Sequence, residues 1–333
     1  MSRRLILVTG ATGGLGMAVV RELRARGHRV RATGRSLSAG QTIRDLGAQF
    51  VAADLTTTDA GELVDGVGSV IHAAALSASW GPRADFEAAN VAATERLLTA
   101  SRAGGVRRFV FISSPSIFAA FRDRAGIGAG DPPAVALNDY ARTKLQAERL
   151  VLAAPRDSFA RCVIRPRALV GPGDRVILPR LAALARRPRM PLPRGGRALI
   201  ELTDLRDAAR AIADAEDRAE AIDGAAINIS GAGPIAVHDL AAGLAAAMGR
   251  TPELVAVPIA VARPLAMALE ALAKLARSPS EPVLTRYTLA TLAYTQTFDQ
   301  EPARRLLGYG PQYDATATLL SEARRLADAE PRA

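Results

Sequence analysis

The chain has 333 residues, a formal net charge of +10, 49 % apolar and 4 % aromatic residues, and one cysteine, Cys162. That single thiol excludes an intramolecular disulfide framework and a cysteine-built zinc site, and no metal ligand set is called. The basic charge is scattered arginine with no basic run longer than two residues and no aromatic stacking platform, so a solvated surface is expected and not a nucleic-acid interface, although anionic ligands are favoured.

Leu5 to Val8 is continuously apolar, as in strands buried on both faces of a parallel sheet. It is too short for a signal-peptide core and runs into a glycine motif, so the cytoplasm is the expected address. Gly14 to Arg26 has Leu15, Val19, Val20 and Leu23 at helical spacing, with Gly27 as its stop. Strands are predicted at 28–33, 48–53, 69–72, 108–112 and 160–164. Long helices are predicted at 84–103, ended by Gly104-Gly105, and at 137–153. Strand and helix alternate throughout, which predicts an α/β fold, a doubly wound parallel sheet of the Rossmann kind. After Pro166 the composition changes. Prolines and glycines cluster to Gly196, short returns to the sheet are expected at 199–202 and 226–229, and the remainder is helical. The expected division is a nucleotide-binding part, 1–166 with returns near 198–232, and a smaller, mainly helical substrate part, 167–197 and 233–326.

The first strand ends in Thr9-Gly10-Ala11-Thr12-Gly13-Gly14-Leu15-Gly16, directly before a helix. Gly10 permits the tight turn, Gly13 the approach of backbone to a pyrophosphate, and Gly16 close packing of helix on strand. Free N–H groups of the helix start then hold phosphates. The second strand ends in Thr33-Gly34-Arg35, with glycine where an NAD-binding acid is expected. Arg35 suits a ribose 2′-phosphate, so NADP(H) is favoured, with NAD(H) possible if Arg35 is only a surface residue. Asp54, before Leu55, either receives an adenine amino group or caps the turn near Thr58. Asn90 is either exposed or fixes nearby backbone. His72 is expected to be structural.

Lysine occurs twice, at 144 and 274. Lys144 lies one helical turn after Tyr140, so its ammonium is expected to lower the phenol pKa from about 10 and make Tyr140 a proton donor to a carbonyl. Ser113 to Ser116 ends the fifth strand at the same sheet edge, where a hydroxyl can hold that carbonyl oxygen. Trp80, Phe118, Phe121 and the segment 255–275 supply apolar surface. Within it, 258–275 reads as a core helix, a lid over a lipophilic ligand or a membrane-surface helix, with Pro264 in its first turn. It is too interrupted to span a bilayer comfortably. Arg167 and Arg175 either meet a carboxylate or are solvated.

Thr9 to Gly16, Asp54-Leu55, His72 to Ala75, Asn90-Val91, Ser113-Ser114 and Tyr140/Lys144, in this order, resemble the extended short-chain dehydrogenase/reductase superfamily. The words Ser79-Trp80-Gly81, Arg165-Pro166-Arg167, Gly171 to Asp174, Pro282 to Arg286 and Glu301 to Arg305 resemble its 3β-hydroxysteroid-dehydrogenase-like branch, nearest to 2-alkyl-3-ketoalkanoate reductases. The resemblance implies a catalytic triad of Ser114, Tyr140 and Lys144, with Ser116 as a second hydroxyl near substrate. It places Ala73, Ala74 and Pro166 along the cofactor, beside Gly10, Thr12, Gly13, Gly14, Leu15, Gly16, Arg35, Asp54 and Leu55. Trp80, Ser114, Ser116 and Arg167 would face substrate, a hydrophobic β-keto acid or steroid-like ketone. It also implies a homodimer through the helices 84–103 and 137–153, with membrane association absent or peripheral. Ala168-Leu169-Val170 lacks the Asn and Tyr of nucleotide-sugar epimerases, which leaves that activity, and a non-turning-over redox sensor, as the alternatives.

Overall fold

The computed structural model describes residues 4–329; the first residues of the expected nucleotide-binding part, 1–3, lie outside them. Seven parallel strands form the central sheet: β1 (Leu5–Thr9), β2 (Arg29–Gly34), β3 (Gln49–Ala52), β4 (Ser69–His72), β5 (Arg108–Ile112), β6 (Ala160–Pro166) and β7 (Ala226–Ile229). Their order is β7-β6-β5-β4-β1-β2-β3. The chain therefore runs outward in both directions from β1, and a crevice is expected at the carboxyl ends of β1 and β4.

The apolar strand sequences are explained by burial on both faces. Successive side chains point to opposite sides of a sheet. Ile6, Val8, Val30, Ile71 and Val110 pack with Val19, Val20 and Leu23 of helix α1 (Gly14–Ala25) on one side. Leu7, Val70, Phe109 and Phe111 pack on the other with Leu97 of α2 (Ala93–Ala103) and Ala147 and Val151 of α3 (Asp139–Ala153). Asn138 caps α3, its side chain accepting from Ala141 N at 2.9 Å. Helix α4 (Leu205–Asp217) lies with α1 on the first face, contributing Ile212.

A buried ion pair ties α3 to the sheet. Arg165 Nε of β6 donates to Glu148 Oε2 at 3.0 Å, and its Nη2 donates to Glu148 Oε1. Both residues are almost fully buried, and Arg165 Nη1 also reaches the Ala129 carbonyl at 2.9 Å.

The structure departs from the sequence reading in four places. The expected helix 84–103 contains a π-helical stretch, Glu87–Ala92, between α-helical Arg83–Phe86 and α2. Residues 226–229 join the central sheet as expected, but Leu199–Glu201 does not. It pairs with Pro234–Ala236 and Gln296–Phe298 in a separate four-stranded sheet completed by Arg124–Ile127. A three-residue strand such as Leu-Ile-Glu carries no information about which sheet edge it will meet. Helix α5 (Ile259–Leu275) begins a turn earlier than Pro264 suggests, because Pro258 occupies its N-cap and Pro264 lies inside. It is also not a core helix: Ala262, Ala266 and Glu270 form its only buried face, and Val261, Leu265, Met267, Leu272 and Leu275 are exposed. Among the described residues, no helix is long and apolar enough to cross a membrane.

Candidate active site

The glycine loop joins β1 to α1 and fits a dinucleotide. Gly10 has φ +66°, and a Cβ on it would stand 2.7 Å from Cα of Ala74. The loop therefore nests against the segment after β4, whose Ala74 N–H donates to Thr9 Oγ1 at 3.2 Å. A Cβ on Gly16 would collide with the Gly10 carbonyl, so α1 abuts its own strand. The N-cap of α1 is Gly13, which offers no side-chain acceptor, and the first turn holds no acid. Its leading N–H groups are thus unclaimed by side chains and face no negative charge, which suits a pyrophosphate. Leu15 packs against the core beneath.

At the end of β2, a Cβ on Gly34 would lie 2.5 Å from Thr12 Oγ1, so the glycine leaves room for Thr12 where an acidic side chain would project. Arg35 beside it is exposed, its guanidinium 3.9 Å from the Asp54 carboxylate. Asp54 caps its own turn, accepting from Thr56 N at 2.9 Å and Thr56 Oγ1 at 2.7 Å, and these bonds hold its pKa below the usual carboxylate range. The turn alternative for Asp54 is therefore realised, with Thr56 as the partner. Leu55 packs on the core, and its carbonyl accepts from Arg96 at 2.6 Å.

His72 ends β4 fully buried. The Thr94 hydroxyl donates to the Asn90 carbonyl at 2.7 Å, so His72 Nε2 donates to Thr94 at 2.9 Å and its Nδ1 accepts from Thr9 at 2.7 Å. Burial first, then Lys144, depresses the imidazole pKa to about 3. His72 is a neutral brace. The π-helical stretch turns Asn90 inward, where it is buried. Its Oδ1 accepts from Leu76 N at 2.7 Å, and its Nδ2 donates to the Leu76 carbonyl at 3.3 Å and to Thr143 Oγ1 at 3.0 Å. Of the two alternatives for Asn90, backbone fixation is the one realised.

Ser113 N–H donates to the Ile164 carbonyl at 2.8 Å, which holds the serine run between β5 and β6. Ser114 Oγ accepts from Ser116 N at 3.2 Å and lies within reach of the Tyr140 hydroxyl. Ser113 and Ser116 are buried with no partner for either hydroxyl. Lys144 is buried, its Nζ donating to the Ile112 carbonyl at 2.5 Å and standing 4.1 Å from the Phe111 ring centroid.

The expected charge effect on Tyr140 is corrected here. Burial raises its pKa to about 12, with the Ser114 hydroxyl opposing and Tyr287 adding to the rise. The Lys144 ammonium is spent on a carbonyl and a ring, and burial itself lowers its pKa to about 7. A Tyr-x-x-x-Lys spacing sets a shared helix face but not the direction of the ammonium.

Pro166 closes β6 opposite Ile229, and Arg167 follows it, buried. Arg167 is therefore not the solvated residue that was one expectation, whereas Arg175 is exposed. Trp80 is half-buried, its Nε1 donating to the Ser278 carbonyl at 3.0 Å, so it ties the segment after β4 to the end of α5. Tyr287, on helix α6 (Arg286–Ala293), was not foreseen. The charges of Arg167, Arg180 and Glu281 act on its phenol, which in turn acts on Tyr140. The only sequence signal was the word Pro282 to Arg286, which stops one residue short.

The carboxyl edge of the sheet thus gathers a phosphate-binding loop, a buried lysine and a serine–tyrosine pair. Residues 6–230 match the NAD dependent epimerase/dehydratase family. The chain belongs to this family. It is 36 % identical over 314 residues to a 2-alkyl-3-oxoalkanoate reductase of Stenotrophomonas maltophilia, covering 92 % of this chain and 94 % of that one. It is 33 % identical over 316 residues to the uncharacterized protein YbjS of Escherichia coli, covering 92 % and 93 %. Among solved structures, gox2253 superposes with TM-score 0.79 at 27 % identity over 98 % of this chain and 99 % of that one. A UDP-glucuronic acid 4-epimerase of Bacillus cereus, in complex with NAD, superposes with TM-score 0.76 at 21 % identity over 97 % and 99 %, a likeness of fold. Family and relatives together make this chain an NAD(P)-dependent oxidoreductase acting on a CH–OH/C=O couple.

Proposed function

We propose that the protein reduces the ketone of a hydrophobic β-keto acid or steroid-like substrate to a secondary alcohol, reversibly, with NADP(H) as the preferred coenzyme. The observation that supports this reading is the reach of the Ser114 hydroxyl to Tyr140, one helical turn from a buried Lys144 that is bonded to the Ile112 carbonyl two residues before Ser114. The coenzyme, held by residues 10–16, Ala73, Ala74 and Pro166, supplies the hydride. Absence of a carboxylate at Gly34, with an exposed Arg35 held only by a long ion pair to Asp54 at 3.9 Å, supports NADP(H) over NAD(H).

Ser114 holds the carbonyl oxygen, and Tyr140 gives that oxygen the proton of its hydroxyl as negative charge develops. A phenol whose pKa is about 12 keeps its proton at neutral pH, and the developing alkoxide, a stronger base still, takes it. General acid help of this kind contributes about 10²–10⁴-fold. Lys144 fixes the carboxyl end of β5 through the Ile112 carbonyl and would hold the hydroxyls of the coenzyme ribose. Residues 167–197 and 233–326 supply the substrate side, and the half-buried Trp80 and the exposed apolar residues of α5 suit a lipophilic chain; Phe118, expected to supply apolar surface, is instead fully buried in a cluster with Ile127 and Phe298. We place the enzyme in the cytoplasm as a homodimer, on the likeness of its helices 84–103 and 137–153 to the paired helices of the superfamily.

The test is NADPH and NADH consumption against ketones graded by chain length, ring system and carboxylate, with Tyr140→Phe beside the wild type. Turnover should fall by at least ~10²-fold in that variant while coenzyme affinity holds. Binding of NADPH without consumption would favour the redox sensor, and interconversion of a sugar nucleotide with no net coenzyme change the epimerase.

A further inference from the structure

Arg167 is a buried cation that no hydrogen bond or ion pair neutralises among the described residues. Its backbone is fixed on both sides: its N–H donates to the Ile229 carbonyl at 2.8 Å, and its own carbonyl accepts from Thr203 Oγ1. The side chain is 7 % exposed, with its guanidinium 5.7 Å from the Phe298 ring centroid. Nε is buried without a partner, and among the described residues no hydrogen bond or ion pair engages the guanidinium. The other buried arginines behave differently. Arg161 meets Asp223 at 2.5 Å, and Arg165 meets Glu148.

Burying an unpaired cation is costly, and a site that carries such a cost calls for a ligand that removes it. Glu201 is the carboxylate that Arg167 feels, and it is committed elsewhere. It accepts from Phe298 N at 3.2 Å, and burial raises its pKa. Arg180 nearby is already paired with Glu281 at 2.7 Å and Ser79 at 2.9 Å. Tyr287 completes the arrangement. Its phenol is near enough to Arg167 and to Tyr140 for charge to couple them. Ile112 and Ile164 are register partners on β5 and β6, so Ser114 and Arg167 follow neighbouring strands at the same carboxyl edge of the sheet.

We infer that Arg167 and Tyr287 form an anion subsite that takes the carboxylate of a 3-oxo acid while Ser114 and Tyr140 take its keto oxygen. This rests on the ketone-reductase reading above and narrows it. In a 3-oxo acid one carbon separates carbonyl from carboxylate, so one small group spans both subsites. A steroid-like ketone offers the guanidinium nothing and would bury it against hydrocarbon. The planar fork of arginine also matches a carboxylate, and an ester removes the charge that makes the bond strong.

The experiment compares a 2-alkyl-3-hydroxyalkanoate with its methyl ester, following NADPH formed from NADP⁺. Wild-type kcat/KM should favour the acid by roughly 10–100-fold. In Arg167→Gln this ratio should collapse toward one, chiefly through KM for the acid. Arg167→Lys should restore part of it, and Tyr287→Phe should lower it several-fold. A wild-type ratio near one, or a ratio unchanged in Arg167→Gln, overturns the subsite. A readout without chemistry separates this from the reductase reading: an unreactive 2-alkylalkanoate, added with NADP⁺, should raise the wild-type melting temperature but not that of Arg167→Gln. If neither acid nor ester reacts, the reductase reading falls and the melting shift alone decides the subsite. An equal shift in both proteins, or none in either, overturns it.

Discussion

The Asn90 side-chain amide donates to the Thr143 hydroxyl at 3.0 Å, one residue before Lys144. Through this amide the segment after β4, which borders the glycine loop, and the helix bearing Tyr140 and Lys144 are held as one piece. The π-helical stretch is what turns Asn90 inward, and such stretches recur at functional sites. Asn90→Leu leaves Leu76 N–H unpaired at a partly buried position. Calorimetry should show about 1–3 kcal/mol lost, with kcat reduced in the folded fraction; an unchanged melting temperature would refute the bracing role.

Tyr140 carries its proton far above neutrality, with its pKa at about 12. Ketone reduction uses the protonated phenol, so it should show no loss through Tyr140 titration between pH 6 and 9. Alcohol oxidation uses the phenolate, whose population grows about tenfold per pH unit below that pKa. Steady-state oxidation should therefore climb with pH across the same range, and a flat oxidation profile would exclude Tyr140 as the base.

Coenzyme choice should respond to the end of β2. Arg35→Leu is expected to lower the preference for NADPH over NADH by roughly 10–100-fold, through loss of a charge-assisted contact. Fluorescence titration with the two coenzymes measures this directly. Equal affinities before and after the change would make Arg35 a surface residue only.

Glu148→Gln should be among the more damaging single changes outside the site. It leaves Arg165 buried opposite a neutral group, and breaking a buried pair costs about 3–5 kcal/mol. Urea unfolding should report a lower midpoint with an unaltered slope.

His72 makes the fold sensitive to acid. Its native pKa is about 3, against about 6.5 in an unfolded chain. Below pH 6.5 the unfolded chain binds a proton that the native protein refuses, so stability falls as pH drops toward 3, by up to about 1.4 kcal/mol per unit. His72→Gln keeps a polar brace without the titration. Its stability should vary less with pH in that window, and parallel curves would contradict the assignment.

The sheet was legible because burial on both faces writes itself into sequence. Leu5 to Val8 is a continuous apolar run, Val70-Ile71 and Phe109 to Ile112 are the apolar centres of two more strands, and their ends came out within a residue. The glycine loop was legible because Gly10 and Gly16 have no alternative at those contacts. Tyr140 and Lys144 were found by spacing, yet their electrostatics were not, since burial reversed the expected shift on the phenol. Tyr287 was invisible because its partners, Tyr140 and Arg167, are more than a hundred residues away in sequence. The place of 199–201 in a second sheet was hidden for the same reason: short strands are assigned by distant neighbours.

Glu270, on the buried face of α5, accepts from Arg286 N at 2.6 Å and from Arg286 Nε at 2.7 Å. This double clasp joins the outer helix to the residue immediately before Tyr287. The two helices are thereby a single rigid arm, and any outward swing that widens the mouth for a bulky guest must carry the Tyr287 phenol away with it.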